Sequence, residues 1–501
     1  MKTYVPLGVR NRTLLTAWGL LESYFVQVPG SDVYIRKGLD TSEGFACTFC
    51  HELADRKRVR DMLEAEIRAG KYTQEFFDRI DERDKAAVQA IKAFFGDNLS
   101  KHSNEELIRQ YDIFYQIYMV TLHPMMIAIY ASDLQDLFEG ELMDALGAAA
   151  TQEAMLEHSA FLLTPTRFTT VQKEEQVLFE LQDGFERSGA PKTREALETY
   201  ASQPEVVARL KDLEASYGWF HMEYIGEVRT AAEYRVQLWE RIYDVEQSGA
   251  DWSAQKSARD RLDDVTDRQR EFFETHPEAA FLKELTFAMQ EFLIVLDYTK
   301  ADLIEGIYYA RPLLSELSKR VGLDSWIDVR YLLPGELKHL LRNDGKADCV
   351  QVADRMKRFS LLIEEGGIKT YFGDEATRIR NDLMETQQAE DINEFVGVTA
   401  YPGFVRGIAC VVTGAQDREK FKQGNIMVTR DTTTELTSII KMASAIVADN
   451  GGLLSHVSIV SREFKIPCLV LTKIATKAVK DGDEIEVDAS NGIVRILKHS
   501  V

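Results

Sequence analysis

Residues 442–472 read MASAIVADNGGLLSHVSIVSREFKIPCLVLT. The run Ala445-Ile446-Val447-Ala448 is short, apolar and uncharged, the pattern of a strand buried on both faces. It opens into Asp449-Asn450-Gly451-Gly452, a turn composition that tolerates positive φ and close backbone approach. Ser455 follows as an N-cap, and the spacing predicts a helix over 455–464. His456 then falls in the first helical turn, beside unpaired backbone N–H groups and the positive end of the helix dipole. A phosphate is well accommodated there. A neutral imidazole nitrogen is nucleophilic near neutral pH, and a phosphoramidate formed on it readily gives its phosphoryl group away. Gly451 and Gly452 leave room for such a bulky side chain.

Outward from this stretch, short β-branched runs recur at 405–412, 425–429, 468–471, 484–487 and 493–497. Helical segments are expected at 434–443 and 455–464. Strands alternating with helices predict a compact α/β domain over 395–498. Upstream the texture changes. Segments 105–131, 206–217, 231–247 and 279–296 carry apolar residues at i, i+3, i+4, i+7 spacing. Residues 50–390 therefore read as a mostly α-helical body, and 1–390 as one region distinct from the C-terminal domain. Residues 1–49 are less periodic; 24–28 and 32–36 read as short strands or irregular packing. No internal repeat stands out.

Bulk properties bound the partners. The chain has 501 residues, 45% of them hydrophobic, enough for more than one core. Its formal net charge of -21 repels nucleic acid and anionic membranes. The N-terminus shows no apolar core of signal-peptide length. The most apolar segment, 113–131, contains Gln116, His123 and Pro124 and reads as a buried helix. His123-Pro124 is expected to be a helix kink, and Phe114, Tyr115, Tyr118 and Tyr130 are expected in the core. Five cysteines in so long a chain make no disulfide framework, which suits a reducing cytoplasm. Cys47-Thr48-Phe49-Cys50-His51 formally matches a c-type haem attachment motif. It lacks an export signal, and for zinc it lacks a second ligand pair. Buried thiols at the start of a helix fit it better. No metal site is expected.

The region around His456 resembles the mobile phosphohistidine, or swivel, domain of the phosphoenolpyruvate-utilising enzymes. That family includes phosphoenolpyruvate synthase, pyruvate phosphate dikinase, rifampin phosphotransferase and sugar-transport enzyme I. Its Gly-Gly-x-Thr-Ser/Cys-His pattern is matched by Gly451-Gly452-Leu453-Leu454-Ser455-His456. Its Ala-Arg-Glu and Ile-Pro-Ala-Val-Val elements are matched by Ser461-Arg462-Glu463 and Ile466-Pro467-Cys468-Leu469-Val470. Gly403 to Val412, Gly424-Asn425-Ile426-Met427-Val428 and Asp481-Gly482-Asp483 resemble its flanking strands and closing hairpin. Leu454 departs from the family's threonine, so regulation by phosphorylation of that threonine cannot operate here.

The resemblance implies a multidomain protein, a large helical body followed by an α/β swivel domain. It also implies a phosphotransferase in which His456 carries the phosphoryl group and Gly451, Gly452, Ser455 and Arg462 support the phosphate. No glycine-rich phosphate loop is visible upstream, and no phosphoenolpyruvate-binding barrel follows the last strand. The layout is similar to the substrate and histidine domains of rifampin phosphotransferase and to the histidine-bearing subunit of phenylphosphate synthase. Tyr217-Gly218-Trp219 and Tyr331-Leu332-Leu333-Pro334-Gly335-Glu336-Leu337 resemble segments of such proteins. The expected partners are an ATP-grasp-type subunit holding ATP and magnesium, and a small-molecule acceptor docking on 1–390. The segment 386–396 would be the hinge. Two other readings stay open: a non-catalytic binding or regulatory protein, and a self-contained phosphotransferase with its own nucleotide site.

Overall fold

The computed structural model describes residues 4–11, 38–43, 46–94, 99–222, 226–248, 257–364, 367–383, 393–430, 436–450 and 456–500. Three strands come first: β1 (Tyr4–Asn11), β2 (Gly38–Glu43) and β3 (Ala46–Glu52). A helical run follows: α1 (Leu53–Arg68), α2 (Gln74–Phe94), α3 (Asn104–Ala128), α4 (Gln135–Leu146), α5 (Gln152–Leu162) and α6 (Thr170–Arg187). It continues through α7 (Arg194–Ala201), α8 (Pro204–Tyr217), α9 (Ala231–Ser248), α10 (Ala258–Thr275) and the 41-residue α11 (Ala280–Arg320). Then come α12 (Pro334–Arg342), α13 (Cys349–Lys357), β4 (Phe359–Glu364), β5 (Gly367–Phe372) and α14 (Gly373–Leu383). The expected helical body is therefore present. Its segment 279–296 extends to Arg320, because Leu303, Ile304, Ile307, Ala310, Leu313, Leu314 and Leu317 prolong the buried stripe.

Local chemistry explains where the helices start. Ser103 and Glu106 form a reciprocal cap at the head of α3: Glu106 Oε2 accepts from Ser103 N at 2.7 Å, and Ser103 Oγ accepts from Glu106 N at 3.3 Å. Thr169 and Gln172 do the same for α6. α3, α2 and α11 pack together, burying Phe114, Tyr118, Leu122, Phe77 and Phe292. Phe114, Tyr118 and Tyr130 are core residues as expected, and Tyr115 is half-buried beside them. α3 runs on through His123 and Pro124, whose side chains lie outside the described residues.

Two features differ from the sequence reading. The body also contains a five-stranded antiparallel sheet ordered β1-β3-β2-β4-β5. The chain returns after some three hundred residues to add β4 and β5, a pairing that local periodicity cannot announce. Cys47 to His51 lie within β3 rather than at a helix start. The segments 24–28 and 32–36 lie outside the described residues.

The C-terminal region comprises β6 (Glu394–Val396), β7 (Val398–Tyr401), β8 (Phe404–Val412), β9 (Ile426–Thr429), α15 (Thr437–Ile440), β10 (Ala445–Ala448), α16 (His456–Phe464), β11 (Cys468–Val470), α17 (Ala475–Ala478), β12 (Glu484–Asp488) and β13 (Ile493–Lys498). Its eight strands are ordered β6-β13-β12-β8-β9-β10-β11-β7. β8, β9, β10 and β11 run parallel, and the strands outside them are antiparallel. β9 and β10 are buried along their whole length, as central parallel strands must be.

Alternation divides the sheet's two faces. Ile426, Val428, Ala445, Val447 and Leu469 pack with Ala475, Ala478, Ile485 and Val487. Met427, Ile446, Ala448, Cys468 and Val470 pack under Ile439, Ile440, Val457 and Val460 of α15 and α16. That second layer is continuous with the core of the helical body, and α5 lies against β7. Of the expected hinge, 386–392 lies outside the described residues, while Glu394 to Val396 already form β6 on the sheet edge.

Candidate functional site

β10 is the central strand from which the site is built. Its ladder continues past Ala448: Asp449 N donates to Thr429 O at 3.0 Å, and Asn450 N donates to Arg430 O at 2.9 Å. On the other side Thr472 N reaches Ala448 O, and Lys473 N reaches Asp449 O at 3.0 Å. The carboxyl ends of three parallel strands therefore converge just before 451–455. Open α/β sheets bind their ligands at such an edge.

Asp449 fixes this edge. It is 5% exposed, and its carboxylate is bonded by the segment after β11. Oδ1 accepts from Thr472 Oγ1 at 3.0 Å, and Oδ2 accepts from Thr476 N at 3.2 Å and from the Thr476 hydroxyl. An ionised carboxylate can only accept, and here it meets two hydroxyls and the backbone N–H at the head of α17. Its chemistry is structural: it ties the end of β10 to α17. The sequence reading did not single out this residue. Thr472 and Thr476 stand 23 and 27 positions away, and no local pattern links them.

α16 begins at His456, close to the expected helix start. Val457, Ser458, Val460 and Ser461 face the sheet and are buried. Ser461 Oγ donates to the Ser458 carbonyl at 3.0 Å, which lets this hydroxyl fit an apolar layer. The helix ends where Lys465 turns to φ 55 and Ile466 N closes onto Ser461 O at 2.9 Å. The outcome is a nine-residue helix, anchored by its buried face, with His456 at its N-terminus. The first N–H groups of a helix lack intrahelical partners and carry about half a positive charge. The side chain of His456, together with Gly451, Gly452, Leu454 and Ser455, lies outside the described residues.

Arg462 sits six residues farther along α16, roughly 9 Å of helix rise from His456. Burial lowers its guanidinium to about 10, and the Cys468 thiol beneath the helix pulls the other way. The same burial pushes the Cys468 thiol up to about 12, which leaves it protonated and unreactive. Arg462 therefore belongs to the far end of the helix. Among the described residues no group of three His, Cys, Asp or Glu side chains could hold a metal ion. No helix among them is long and apolar enough to cross a membrane.

The same face of the domain meets the helical body electrostatically. Lys441, just after α15, stands 4.9 Å from the Phe464 ring at the end of α16. Its positive charge also acts on Glu175 of α6. Burial alone would raise the Glu175 carboxyl. Arg241, bonded to both carboxylate oxygens at 2.7 and 2.9 Å, brings it instead to about 2, helped by Lys441 and Arg261.

Residues 421–492 match the family model of the PEP-utilising enzyme mobile domain. A probable phosphoenolpyruvate synthase of Archaeoglobus fulgidus is 38% identical over 137 residues, which is 26% of this chain and 18% of the relative. The phosphoenolpyruvate synthase of Pyrococcus furiosus is 42% identical over 125 residues, 25% of this chain and 15% of the relative. An uncharacterized phosphotransferase of Bacillus subtilis, YvkC, is 36% identical over 108 residues, 22% of this chain and 13% of the relative. The chain thus spans less than a fifth of the length of each of these relatives. The C-terminal domain is a mobile domain of the PEP-utilising type.

Proposed function

We propose that this chain is the phosphoryl-carrying component of a phosphotransferase, with His456 as the carrier. The observation that supports it is the position of His456: first residue of α16, beyond the carboxyl end of β10, within the matched mobile domain. Phosphoryl transfer asks for in-line positioning and charge neutralisation more than for covalent catalysis by the protein. The helix N-terminus supplies fixed positive potential at the carrier. The buried face of α16 seats the helix that carries it firmly on the sheet.

In this reading the donor is ATP with magnesium, held by an ATP-grasp-type partner subunit in the cytoplasm. The acceptor is a small molecule bound by the helical body. His456 takes the phosphoryl group at the first site and delivers it at the second, and the 386–396 segment allows the domain to turn between them. Gly451, Gly452 and Ser455 cradle the phosphate, and closure on the body excludes water. The electrostatic attraction of Lys441 for Glu175 and the packing of α5 on β7 are consistent with an acceptor-side position.

The test is labelling with ATP carrying label at the β- or γ-phosphoryl. Label on the chain only when the partner subunit is present, stable to base and labile to acid, supports the reading. Label on the isolated chain supports a self-contained phosphotransferase instead. Absence of label in both conditions, with a His456→Ala chain as active as the parent, contradicts both.

A further inference from the structure

We propose that His221 is the general base that deprotonates the acceptor hydroxyl for attack on phosphorylated His456, an inference that rests on the carrier reading above. His221 lies in a 3-10 turn, Gly218–Met222, directly after α8. Its side chain is 9% exposed, and that of its partner Glu174 on α6 is 7% exposed. Glu174 Oε1 sits 2.7 Å from His221 Nε2 and accepts from the Tyr234 hydroxyl at 2.5 Å. Arg229 Nη1 lies 3.6 Å from the same oxygen.

This arrangement fixes the tautomer. The Glu174 oxygen already accepts from the Tyr234 hydroxyl and lies beside Arg229, so it is the acceptor toward the ring and Nε2 is the donor. Nδ1 then presents a lone pair, and it is buried with no hydrogen-bond partner among the described residues. A carboxylate orienting an imidazole whose other nitrogen is an unoccupied proton acceptor is the constellation that activates hydroxyl nucleophiles. A buried polar atom left unpaired is costly, and a visiting hydroxyl would pair it. On the same turn Trp219 Nε1 is a second buried atom without a partner among the described residues.

The surroundings indicate the acceptor class. The rings of Phe220 and Tyr234 lie 6.0 and 6.3 Å from the imidazole, and Trp219 packs edge-on against Phe220. A hydroxyl compound bearing an aromatic or apolar ring suits them. Gly218 is required by close approach, since a Cβ there would stand 2.4 Å from Arg229 O. That explains the glycine of the Tyr217-Gly218-Trp219 motif. α6 also links the dyad to the carrier. Glu174 holds His221, and the next residue, Glu175, lies within electrostatic reach of Lys441 in the mobile domain.

In the step, the acceptor oxygen forms its bond to phosphorus as the N–P bond of phospho-His456 breaks. The electron pair stays on the departing ring nitrogen. The hydroxyl proton passes to His221 Nδ1, and the released His456 ring takes a proton from solvent.

The test loads the full chain at His456 with phosphoramidate and follows transfer to benzyl alcohol and phenol by phosphorus NMR. The parent chain should phosphorylate at least one of them. His221→Ala should load His456 normally yet transfer about 100-fold or more slowly, with partial recovery on addition of free imidazole. Glu174→Gln, which keeps the side-chain volume, should slow transfer about 10-fold or more while loading is unchanged. If His221→Ala does not fold, Glu174→Gln decides. Transfer at the parent rate by either variant overturns the proposal. So does a loaded parent chain that transfers to neither probe, or a slowed His221→Ala that imidazole leaves unchanged. A parent chain that cannot be loaded at His456 overturns the carrier reading itself, which makes the two failures distinguishable.

Discussion

Asp449 shows how one side chain holds the site's foundation. Replacing it with Ala leaves the Thr476 N–H and hydroxyl without their acceptor inside a packed edge, while the Thr472 hydroxyl keeps Ala448 O. Asp449→Ala should cost about 1–3 kcal/mol, read as a lower midpoint in chemical unfolding. Glu175 gives a pH signature. Its pKa falls from 4.5 to about 2 on folding. The unfolded chain therefore binds the proton more readily, and the stability that Glu175 contributes is complete above the unfolded value. It is lost as pH falls from 4.5 towards 2. Glu175→Gln should flatten that part of the acid-unfolding curve, and an unchanged curve contradicts the pairing. At this scale the sequence disclosed much near His456, because strand, turn and helix follow one another within twenty residues. It disclosed nothing of the Asp449 anchor or the Glu174–His221 pair. Their partners meet only after folding, and an acid or a histidine in a helical segment looks the same whether or not it has one. The Cys47–His51 motif shows the converse: a suggestive spacing that turns out to be part of strand β3.

Elements carry different information. The strands expected at 405–412, 425–429, 445–448, 468–471, 484–487 and 493–497 all formed, with ends shifted by a residue or so. Each is a β-branched run closed by turn residues, so local signals suffice. β6 and β7 escaped notice because they are three and four residues long and separated only by Gly397. Gly397 permits that crossing: a Cβ there would lie 2.8 Å from Val470 O and 2.7 Å from Thr472 Cγ2. Gly397→Ala should destabilise the domain by roughly 1–3 kcal/mol, measurable as a lowered thermal midpoint. The packing of α2 on α11 yields another prediction. Burial, with Asp84, Glu305 and Asp81 nearby, raises Asp302 from 3.8 to about 8 despite Lys85. A raised acid binds its proton more tightly in the folded chain. Stability should therefore fall as pH rises from 3.8 to about 8 and level off beyond. Asp302→Asn should remove that slope and make the protein more stable than the parent above pH 8. A variant that follows the parent's pH profile contradicts the assignment.

The whole molecule joins a helical body, with its own antiparallel sheet, to a phosphohistidine-type domain through one continuous hydrophobic layer. The general plan was readable because helical and strand periodicities change over near residue 390. The five-stranded sheet was not, since it pairs strands from opposite ends of the body. On the proposed reading the domain travels between two sites, and the attraction of Lys441 for Glu175 would help hold one of its positions. Lys441→Glu sets two carboxylates against each other, and the chain should become more extended in small-angle X-ray scattering. An unchanged scattering profile would show that the apolar layer alone holds the domain. Locating the phosphoryl group itself decides whether His456 is the carrier. After exposure to the ATP-grasp-type subunit and ATP labelled at the β-phosphoryl, the chain is digested under alkaline conditions and the labelled peptide sequenced by mass spectrometry. The label is expected on His456 alone and absent from His456→Ala. Label on any other residue, or equal label in the His456→Ala chain, contradicts the account.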